Sequence, residues 1–493
     1  MKSEIMSIKQ KRQGGILMPV ASLPNRHGVG DFGAETLAFL KHVKKTGFGV
    51  WQILPLTPLG YGHSPYQPFS SLAMDEIYIS LDLLIKAGLL ANVPSYRQKS
   101  RRINYEKVRA FKNRYLHRAF RKAMKRDPNF IQKLRRATKD YHTYAVFMAF
   151  KKAKNFQSWN EWPRLQKEWP TTHELDISPF QKEIDYQLFL QYLLQKQWRR
   201  VKRKAERLNV KIIGDLPFYV GYDSVDCFMN QQYFYLNEDK TPLLISGVGP
   251  DYFSKLGQRW GNPIYDFEAL KRDHYQFLIK RIKDCGQICD YVRLDHFRAF
   301  DTYYVIDAKE PTAERGEWKI GPSYDFFERL KSEFAMERII VEDLGDLREE
   351  VNVLRKHYQL PGMQVLQFTI LSPVAEVGSP KNFVYYSGTH DNDTLKGWYS
   401  SLTKKQKNLL KPKLVKYQKS GDVYDRLLRF AMHRENALSV IMLTDFLKLS
   451  NKARINTPGI IDDINWTFRL QSLTPFIAVL PHIRKMLKES LRI

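Results

Sequence analysis

The sequence predicts an α/β fold, a (β/α)8 TIM barrel with a large inserted, mostly helical subdomain. Eight short apolar segments, rich in β-branched and aromatic residues, alternate with amphipathic helical stretches along the 493 residues. Strands that are apolar over their whole length are typical of a parallel sheet buried on both faces. A doubly wound open sheet is the alternative, because the pattern along the chain does not reveal how a sheet closes.

The eight predicted strands are spread over the whole chain. They are GILMPV at 15–20, WQILPL at 51–56, KIIGDL at 211–216, YVRLDHF at 291–297, IIVEDL at 339–344, MQVLQF at 363–368, NFVYYSG at 382–388 and LSVIML at 438–443. Between the first two strands, GAETLAFLKHVKKT at 33–46 predicts a helix that Gly47 ends. A plain barrel takes about 250 residues, so the extra length predicts an insertion between the second and third strands.

We divide the chain into three parts on this basis. Residues 1–84 hold the first two strands and active-site loops, and residues 85–208 form the inserted basic helical subdomain. Residues 209–493 complete the barrel and carry the candidate catalytic residues. They include a Gly-rich, Pro-punctuated stretch at 246–263, which we expect to be a mobile lid loop.

The inserted subdomain carries most of the positive charge of the chain. The formal net charge is +27, and segment 97–167 alone has 22 basic and 4 acidic residues. The spacing of Phe111, Tyr115 and Phe120 predicts amphipathic helices with solvated basic faces, and a further basic helix is predicted at about 189–209. We favour solvated faces over a nucleic-acid partner, which stays open as the alternative for this surface.

Several classes of protein are excluded by what the sequence lacks. No apolar run approaches the roughly 20 residues of a membrane-spanning helix, and MKSEIMSIKQKRQGG lacks the apolar core of a signal peptide. We therefore expect a cytoplasmic protein that does not contact a membrane. Cys227, Cys285 and Cys289 are expected to be buried free thiols.

Neither a cofactor nor a metal is expected. A phosphate-binding loop would follow a strand, whereas GVGDFG at 28–33 would turn Asp31 toward a pyrophosphate. Hard cations need several oxygen ligands close together in one short loop, but the acidic residues of interest are dispersed over separate strands. The chemistry is therefore assigned to side chains alone.

Acidic residues follow four of the predicted strands, at the end where the active face of a parallel barrel lies. These residues are Asp215, Asp295, Glu342 with Asp343, and Asp391. Each acid alone is as well explained by a helix cap or an ion pair, and Arg293 and Arg298 flank one of them. Their joint occurrence in RLDHF, VEDLG and THDND favours acid–base chemistry on a sugar.

Aromatic residues in two loops support a sugar as the substrate. Tyr61 and Tyr66 lie in GYGHSPYQPF, and Tyr252, Phe253 and Trp260 lie in GVGPDYFSKLGQRWGNP. Pyranose rings stack on such side chains at the edge of a cleft.

Taken in order, the motifs of this chain resemble those of the 4-α-glucanotransferases, the amylomaltase or disproportionating-enzyme branch of the α-amylase-like barrel enzymes. The motifs are GILMPVASLPNRHGVGDFG, WQILPLTPLGYGHSPYQPFS, IIGDLPFYV, PDYFSKLGQRWGNPIY, RLDHFRAF, VEDLG, YYSGTHDNDTLKGW and NTPG. The resemblance covers nearly the whole chain. It implies a glycosyltransferase of maltose and glycogen or starch metabolism.

The resemblance implies a role for each candidate site residue. Asp295 would be the nucleophile, Glu342 the general acid/base, and Asp391 the acid that holds sugar hydroxyls in the transition state. The implied substrate-binding residues are Arg293, which would keep Asp295 ionised, Asp215 and His390 on the donor sugar, Tyr61 stacked on it, Phe253, Gln258 and Trp260 in the loop over the acceptor side, and Asn456 near the acceptor.

The implied activity moves α-1,4-glucan segments between maltooligosaccharides, with glucose also serving as an acceptor. A covalent glucosyl-enzyme forms and is resolved by the acceptor, so that two inversions retain the α-linkage. An α-glucan hydrolase, or a basic nucleic-acid-binding protein on a barrel scaffold, is the alternative.

The chain departs from the usual family pattern at several positions. It has Met74-Asp75-Glu76 in place of Gly-Asn-Pro, His63 in place of an acid, Ala299 in place of Gly, Gly249 in place of Pro and Ile460 in place of Thr. None of these changes removes a proposed catalytic group. They bear on the acceptor geometry and on the ratio of transfer to hydrolysis.

Overall fold

The computed structural model describes residues 12–96, 100–250, 255–372, 382–417, 422–460 and 462–493. Its strands are β1 (Gln13–Leu17), β2 (Val50–Gln52), β3 (Lys211–Leu216), β4 (Leu244–Val248), β5 (Gln258–Pro263), β6 (Tyr291–Leu294), β7 (Thr302–Asp307), β8 (Gly316–Ile320), β9 (Ile339–Val341), β10 (Gly362–Val365), β11 (Phe383–Tyr386) and β12 (Leu438–Met442). Among these residues, no helix is both long and apolar enough to cross a membrane.

Eight parallel strands form the barrel, in the order β10-β11-β12-β1-β2-β3-β6-β9. The backbone N–H of Val341, at the end of β9, donates to the carbonyl oxygen of Pro361, directly before β10, over 2.9 Å. This bond joins β9 to β10, the two strands at the ends of this order, and so closes the sheet. The predicted barrel is therefore confirmed and the open doubly wound sheet is excluded.

All eight predicted barrel strands are present, but most are shorter than the apolar segments that predicted them. The segment 291–297, for example, is a strand only as far as Leu294. The chain then turns away at His296, which has a left-handed φ of 50°, while Phe297 stays completely buried. Loop residues that pack into the core lengthened the apolar pattern beyond the strand end.

A second sheet was not predicted. It is antiparallel, with the order β5-β4-β7-β8, and it corrects the prediction of a loop over 246–263, because both ends of that stretch are strands. Gly247 has to be glycine here, since a Cβ would collide with the carbonyl oxygen of Gln258 on the paired strand. The glycine content of this stretch was taken to indicate a mobile loop, whereas Gly247 is required for the close pairing of two strands. The predicted loop residues Tyr252 and Phe253 lie outside the described residues.

The helices surround the barrel and build the insertion. They are α1 (Ala34–Thr46), α2 (Leu81–Lys86), α3 (Tyr105–Arg126), α4 (Phe130–Ala137), α5 (His142–Ala153), α6 (Arg164–Lys167), α7 (Trp169–Thr172), α8 (Gln181–Arg207), α9 (Val225–Met229), α10 (Phe267–Arg272), α11 (Gln276–Ile288), α12 (Ser323–Glu333), α13 (Glu349–His357), α14 (Leu366–Thr369), α15 (Leu395–Ser401), α16 (Lys404–Val415), α17 (Val423–His433), α18 (Leu443–Phe446) and α19 (Thr474–Glu489). Gly47 ends α1 in a left-handed conformation with φ 110°, as predicted.

The insertion is helical, as predicted, and its last helix packs directly on the barrel. Helix α8 begins at Gln181, earlier than the predicted 189. The ring of Trp198 lies 4.9 Å from that of Phe32, and its indole N–H donates to the carbonyl oxygen of Ile288 over 2.9 Å. One hydrophobic core includes residues of both parts. The domain boundaries at 84/85 and 208/209 stay predictions.

The amphipathic pattern of the basic helices is confirmed for α3. Its outward side chains, Arg114, Arg118, Arg121, Lys122 and Lys125, are exposed. Its inward face, which includes Tyr115 and Phe120, is buried. The predicted buried free thiols, Cys227, Cys285 and Cys289, are also confirmed.

Candidate active site

The candidate acids come together because they follow neighbouring strands of the barrel. Asp215 lies in β3, Asp295 directly follows β6, and Glu342 directly follows β9. The N–H of Asp295 donates to Leu216 over 3.1 Å, and the N–H of Glu342 donates to Leu294 over 2.9 Å. These two bonds continue the parallel pairing by one step. The three carboxyl groups are therefore held at the same end of adjacent strands.

Arg293 joins two of these carboxylates. Its Nη1 atom donates to Oδ1 of Asp215 over 2.7 Å and to Oδ1 of Asp295 over 2.9 Å. Arg293 and Asp215 are buried, whereas a quarter of the Asp295 side chain is exposed. Burial raises the pKa of Asp295 to about 6, and the Arg293 guanidinium opposes that rise. At neutral pH the ionised form of Asp295 therefore still predominates.

Glu342 is held next to Asp295 by the backbone. Its Oε2 atom accepts the N–H of His296 over 2.8 Å, and its Oε1 atom accepts the N–H of Leu344 over 3.1 Å. Burial, followed by the negative charge of Asp295, raises the pKa of Glu342 to about 7. Two neighbouring carboxyls thus have different proton affinities, as an acid and a nucleophile require.

Asp391 is held by two neighbours, both of which are predicted site residues. Its Oδ2 atom lies 3.2 Å from Nε2 of His390, and its Oδ1 atom accepts the amide N–H of Asn456 over 2.6 Å. Burial opposes ionisation of Asp391, but the contacts with His390 and Asn456 hold its pKa below the usual value. Burial lowers the pKa of His390 less than Asp391 raises it, so the net change is upward. Each partner therefore stabilises the charged form of the other.

Tyr66 and Trp466 belong to the site, although the sequence marked the first only as an aromatic residue and the second not at all. The hydroxyl of Tyr66 donates to Oδ2 of Asp215 over 2.8 Å, and its ring stacks on that of His390 at 4.9 Å. Trp466 packs on both rings, at 5.7 Å from Tyr66 and 5.6 Å from His390. The motif GYGHSPYQPF contained the signal for Tyr66, but its hydrogen bond spans residues far apart in the chain.

Arg454 is a second residue that sequence reasoning missed. Its Nη2 atom donates to the carbonyl oxygen of Asp391, and its Nη1 atom donates to Oδ1 of Asp393, both over 2.6 Å. Its Nε atom donates to the carbonyl oxygen of Asn456 over 2.7 Å. One guanidinium therefore fixes the loop after β11 against the segment that follows α18.

Trp260 lies beside the turn that follows Asp295. Its ring lies 4.9 Å from that of His296, edge to face, and its indole N–H donates to Oε1 of Gln258 over 3.2 Å. Its carbonyl oxygen accepts the side-chain amide of Gln67 over 2.6 Å. Gln258 and Trp260 are thus brought to the site together. Phe253 lies outside the described residues, and of Tyr61 only the backbone is described, in a short 3-10 helix.

Asp343, by contrast, makes structural contacts within the barrel. Its Oδ1 atom accepts the N–H of Met363 over 2.6 Å, and its Oδ2 atom lies 3.1 Å from Nε of Arg355. Burial raises its pKa to about 7. These contacts link the loop after β9 to β10, where the barrel closes. Within the described ranges, no cluster of three or more His, Cys, Asp or Glu side chains could hold a metal ion.

Two neighbouring carboxyls with raised pKa values, at the mouth of a (β/α)8 barrel, are the arrangement expected of an enzyme that acts on glycosidic bonds. Residues 18–474 match the family described as 4-alpha-glucanotransferase. The chain belongs to this family. The predicted resemblance and the predicted enzyme class, a glycosyltransferase acting on α-1,4-glucans, are confirmed.

Individual relatives agree over almost their whole length. The 4-alpha-glucanotransferase of Thermus thermophilus is 36% identical over 476 residues, which cover 93% of this chain and 95% of the relative. That of Clostridium butyricum is 37% identical over 470 residues, covering 92% and 95%. The solved amylomaltase from Streptococcus agalactiae, in complex with acarbose, is 30% identical with a TM-score of 0.92, covering 98% of this chain and 100% of that one.

Proposed function

We propose that this protein transfers α-1,4-glucan segments between maltooligosaccharides by a retaining double displacement. The observation that carries this proposal is the pairing of Asp295 with Glu342, whose pKa values are raised to about 6 and about 7. Near neutral pH this pair supplies a carboxylate and a protonated carboxyl within one site. Membership of the 4-alpha-glucanotransferase family supports α-1,4-glucans as the substrate class.

In the first half of the reaction, Asp295 is the nucleophile and Glu342 is the acid. A carboxylate oxygen of Asp295 attacks the anomeric carbon while the bond from that carbon to the glycosidic oxygen breaks. Glu342 gives its proton to the departing oxygen, which leaves as the 4-hydroxyl of the released fragment. A covalent glucosyl-enzyme remains, and Glu342 is now a carboxylate.

In the second half, Glu342 is the base. It removes the proton from the 4-hydroxyl of an acceptor glucan or glucose, whose oxygen attacks the anomeric carbon. The ester bond to Asp295 breaks and its carboxylate is regenerated. Each displacement inverts the anomeric carbon, so the product keeps the α-linkage.

The remaining residues bind and orient the two sugars. Asp391, kept ionised by His390 and Asn456, accepts hydrogen bonds from hydroxyls of the donor ring and strengthens them as the ring distorts. Asp215 completes the donor side. Trp260 and Gln258 cover the acceptor side and keep water from the glucosyl ester. The resemblance of the motifs assigns Tyr61 to the donor sugar and Phe253 to the acceptor side.

A product ladder from pure maltotriose tests this function. Transfer gives glucose together with longer oligomers, while the number of reducing ends stays constant. An increase in reducing ends would instead identify an α-glucan hydrolase, and unchanged maltotriose would refute both. Asp295→Asn is the control that shows that the products come from this site.

A further inference from the structure

Near the start of the basic helix α3, one arginine side chain forms ion pairs, whereas most of the basic side chains further along the helix are exposed. The guanidinium of Arg109 points inward and donates to both carboxylate oxygens of Asp75, through Nη1 over 3.0 Å and through Nη2 over 2.9 Å. The same guanidinium also contacts Glu76. A residue of the insertion therefore holds two acids that follow the loop after β2.

Asp75 connects Arg109 to the loop after β2. Its Oδ2 atom also accepts the backbone N–H of Leu59 over 3.0 Å, and its Oδ1 atom accepts that of Ile77 over 2.9 Å. Leu59 stands at the start of the loop that continues through Tyr61 to Tyr66. Burial opposes ionisation of Asp75, yet Arg109 and the two amides hold its pKa below the usual value. The loop start is therefore tied to a fixed, charged anchor.

Tyr105, one turn before Arg109, reaches the same site from the other side. Its hydroxyl donates to the carbonyl oxygen of Trp466 over 2.8 Å, and its ring lies 5.0 Å from that of His63. Trp466 packs on Tyr66 and His390. One end of α3 thus contacts both loops that enclose the donor side.

From these contacts we infer that Arg109 is a positioning residue for donor binding, acting through Asp75 on the loop that carries Tyr61 and Tyr66. The inference rests on the proposed transferase function. The hydroxyl of Tyr66 holds Asp215, so a loop that is loose at Leu59 has to be ordered by the donor when it binds. That ordering lowers the rate of the donor half-reaction more than that of the acceptor half-reaction.

The test measures the two half-reactions separately in the full-length protein. Maltotriose serves as the donor and labelled glucose as the acceptor, because double-displacement kinetics give one kcat/KM value for each substrate. In Arg109→Met, kcat/KM for maltotriose is expected to fall about tenfold, and that for glucose less than about threefold. Arg109→Lys keeps the charge but not the two-pronged contact, so an intermediate loss is expected and the test survives if the methionine variant does not fold.

Arg135→Met is the matched control. Arg135 makes a similar two-pronged contact with Asp185, both bonds being 2.8 Å, but it joins two helices of the insertion. This variant is expected to lower the melting temperature and to leave both kcat/KM values unchanged. Asp75→Asn combined with Arg109→Met is expected to lose less than the sum of the two single losses, because both changes break one contact.

Several outcomes would overturn the inference. Wild-type transfer with an unchanged donor kcat/KM in both Arg109 variants would do so. So would equal losses for donor and acceptor, or the same kinetic loss in Arg135→Met. A wild-type protein without transfer activity would refute the proposed function and the inference with it.

Discussion

The backbone N–H of His296 donates to Oε2 of Glu342 over 2.8 Å, so the proposed acid/base is bonded to the residue that directly follows the proposed nucleophile. His296 turns the chain with a left-handed φ of 50° at this point. The carboxyl of Glu342 is therefore fixed to the backbone turn that directly follows Asp295. Rigid placement of this kind is what a double displacement requires.

Replacing either carboxyl of this pair should abolish transfer without unfolding the protein. Asp295→Asn removes the nucleophile, and Glu342→Gln removes the proton donor, so kcat for maltotriose should fall by at least about 1,000-fold. Thermal melts should show that both variants fold. Turnover close to that of the wild type in either variant would remove the role proposed for that residue.

The dependence of kcat/KM on pH should be bell-shaped. Asp295 must be ionised, so kcat/KM rises as the pH increases through about 6, and Glu342 must be protonated, so it falls as the pH passes about 7. The maximum is expected between these values, and both limbs belong to the interacting pair. The profile is measured with maltotriose, with melts at each pH to exclude unfolding. Constant activity up to pH 9 would contradict the assignment of Glu342 as the acid.

The barrel and the positions of the candidate acids were predictable because both depend on local patterns. An apolar run in the sequence predicts each buried strand. The position of an acid at the strand end then follows from where that run ends. The four-stranded sheet was not predictable in this way. In β8, the side chains of Trp318 and Ile320 are exposed, and Gly247 in β4 serves strand pairing. Neither pattern separates a strand from a loop in the sequence alone.

The contacts that tune the site were beyond prediction for a different reason. Tyr66 meets Asp215, and Arg109 meets Asp75, only after helices and strands have packed. Their partners are set by register and packing, which a single sequence does not reveal. The number of basic residues in the segment also gave no indication of Arg109. An arginine that faces inward cannot be distinguished in the sequence from its solvated neighbours before the packing of α3 is known.

The stability of the protein should also report on Glu342. Its folded pKa of about 7 lies above the usual value of 4.5, so the folded state binds the proton more tightly than the unfolded chain. This contribution is complete below about pH 4.5 and is lost as the pH rises through 7. The melting temperature of Glu342→Gln relative to the wild type should therefore increase over this interval, by about 2 °C, and then stay level.

Shortening Trp260 should shift the reaction from transfer toward hydrolysis. The ring lies 4.9 Å from that of His296, beside the turn that follows Asp295, so Trp260→Ala opens space for water where an acceptor sugar is proposed to bind. Acceptor kcat/KM should fall about tenfold, and the fraction of turnovers that create a reducing end should rise several-fold. Trp260→Phe keeps an aromatic ring and should show a smaller change. The measurement is the number of reducing ends per maltotriose consumed, and a ratio equal to that of the wild type in Trp260→Ala would assign water exclusion to other residues.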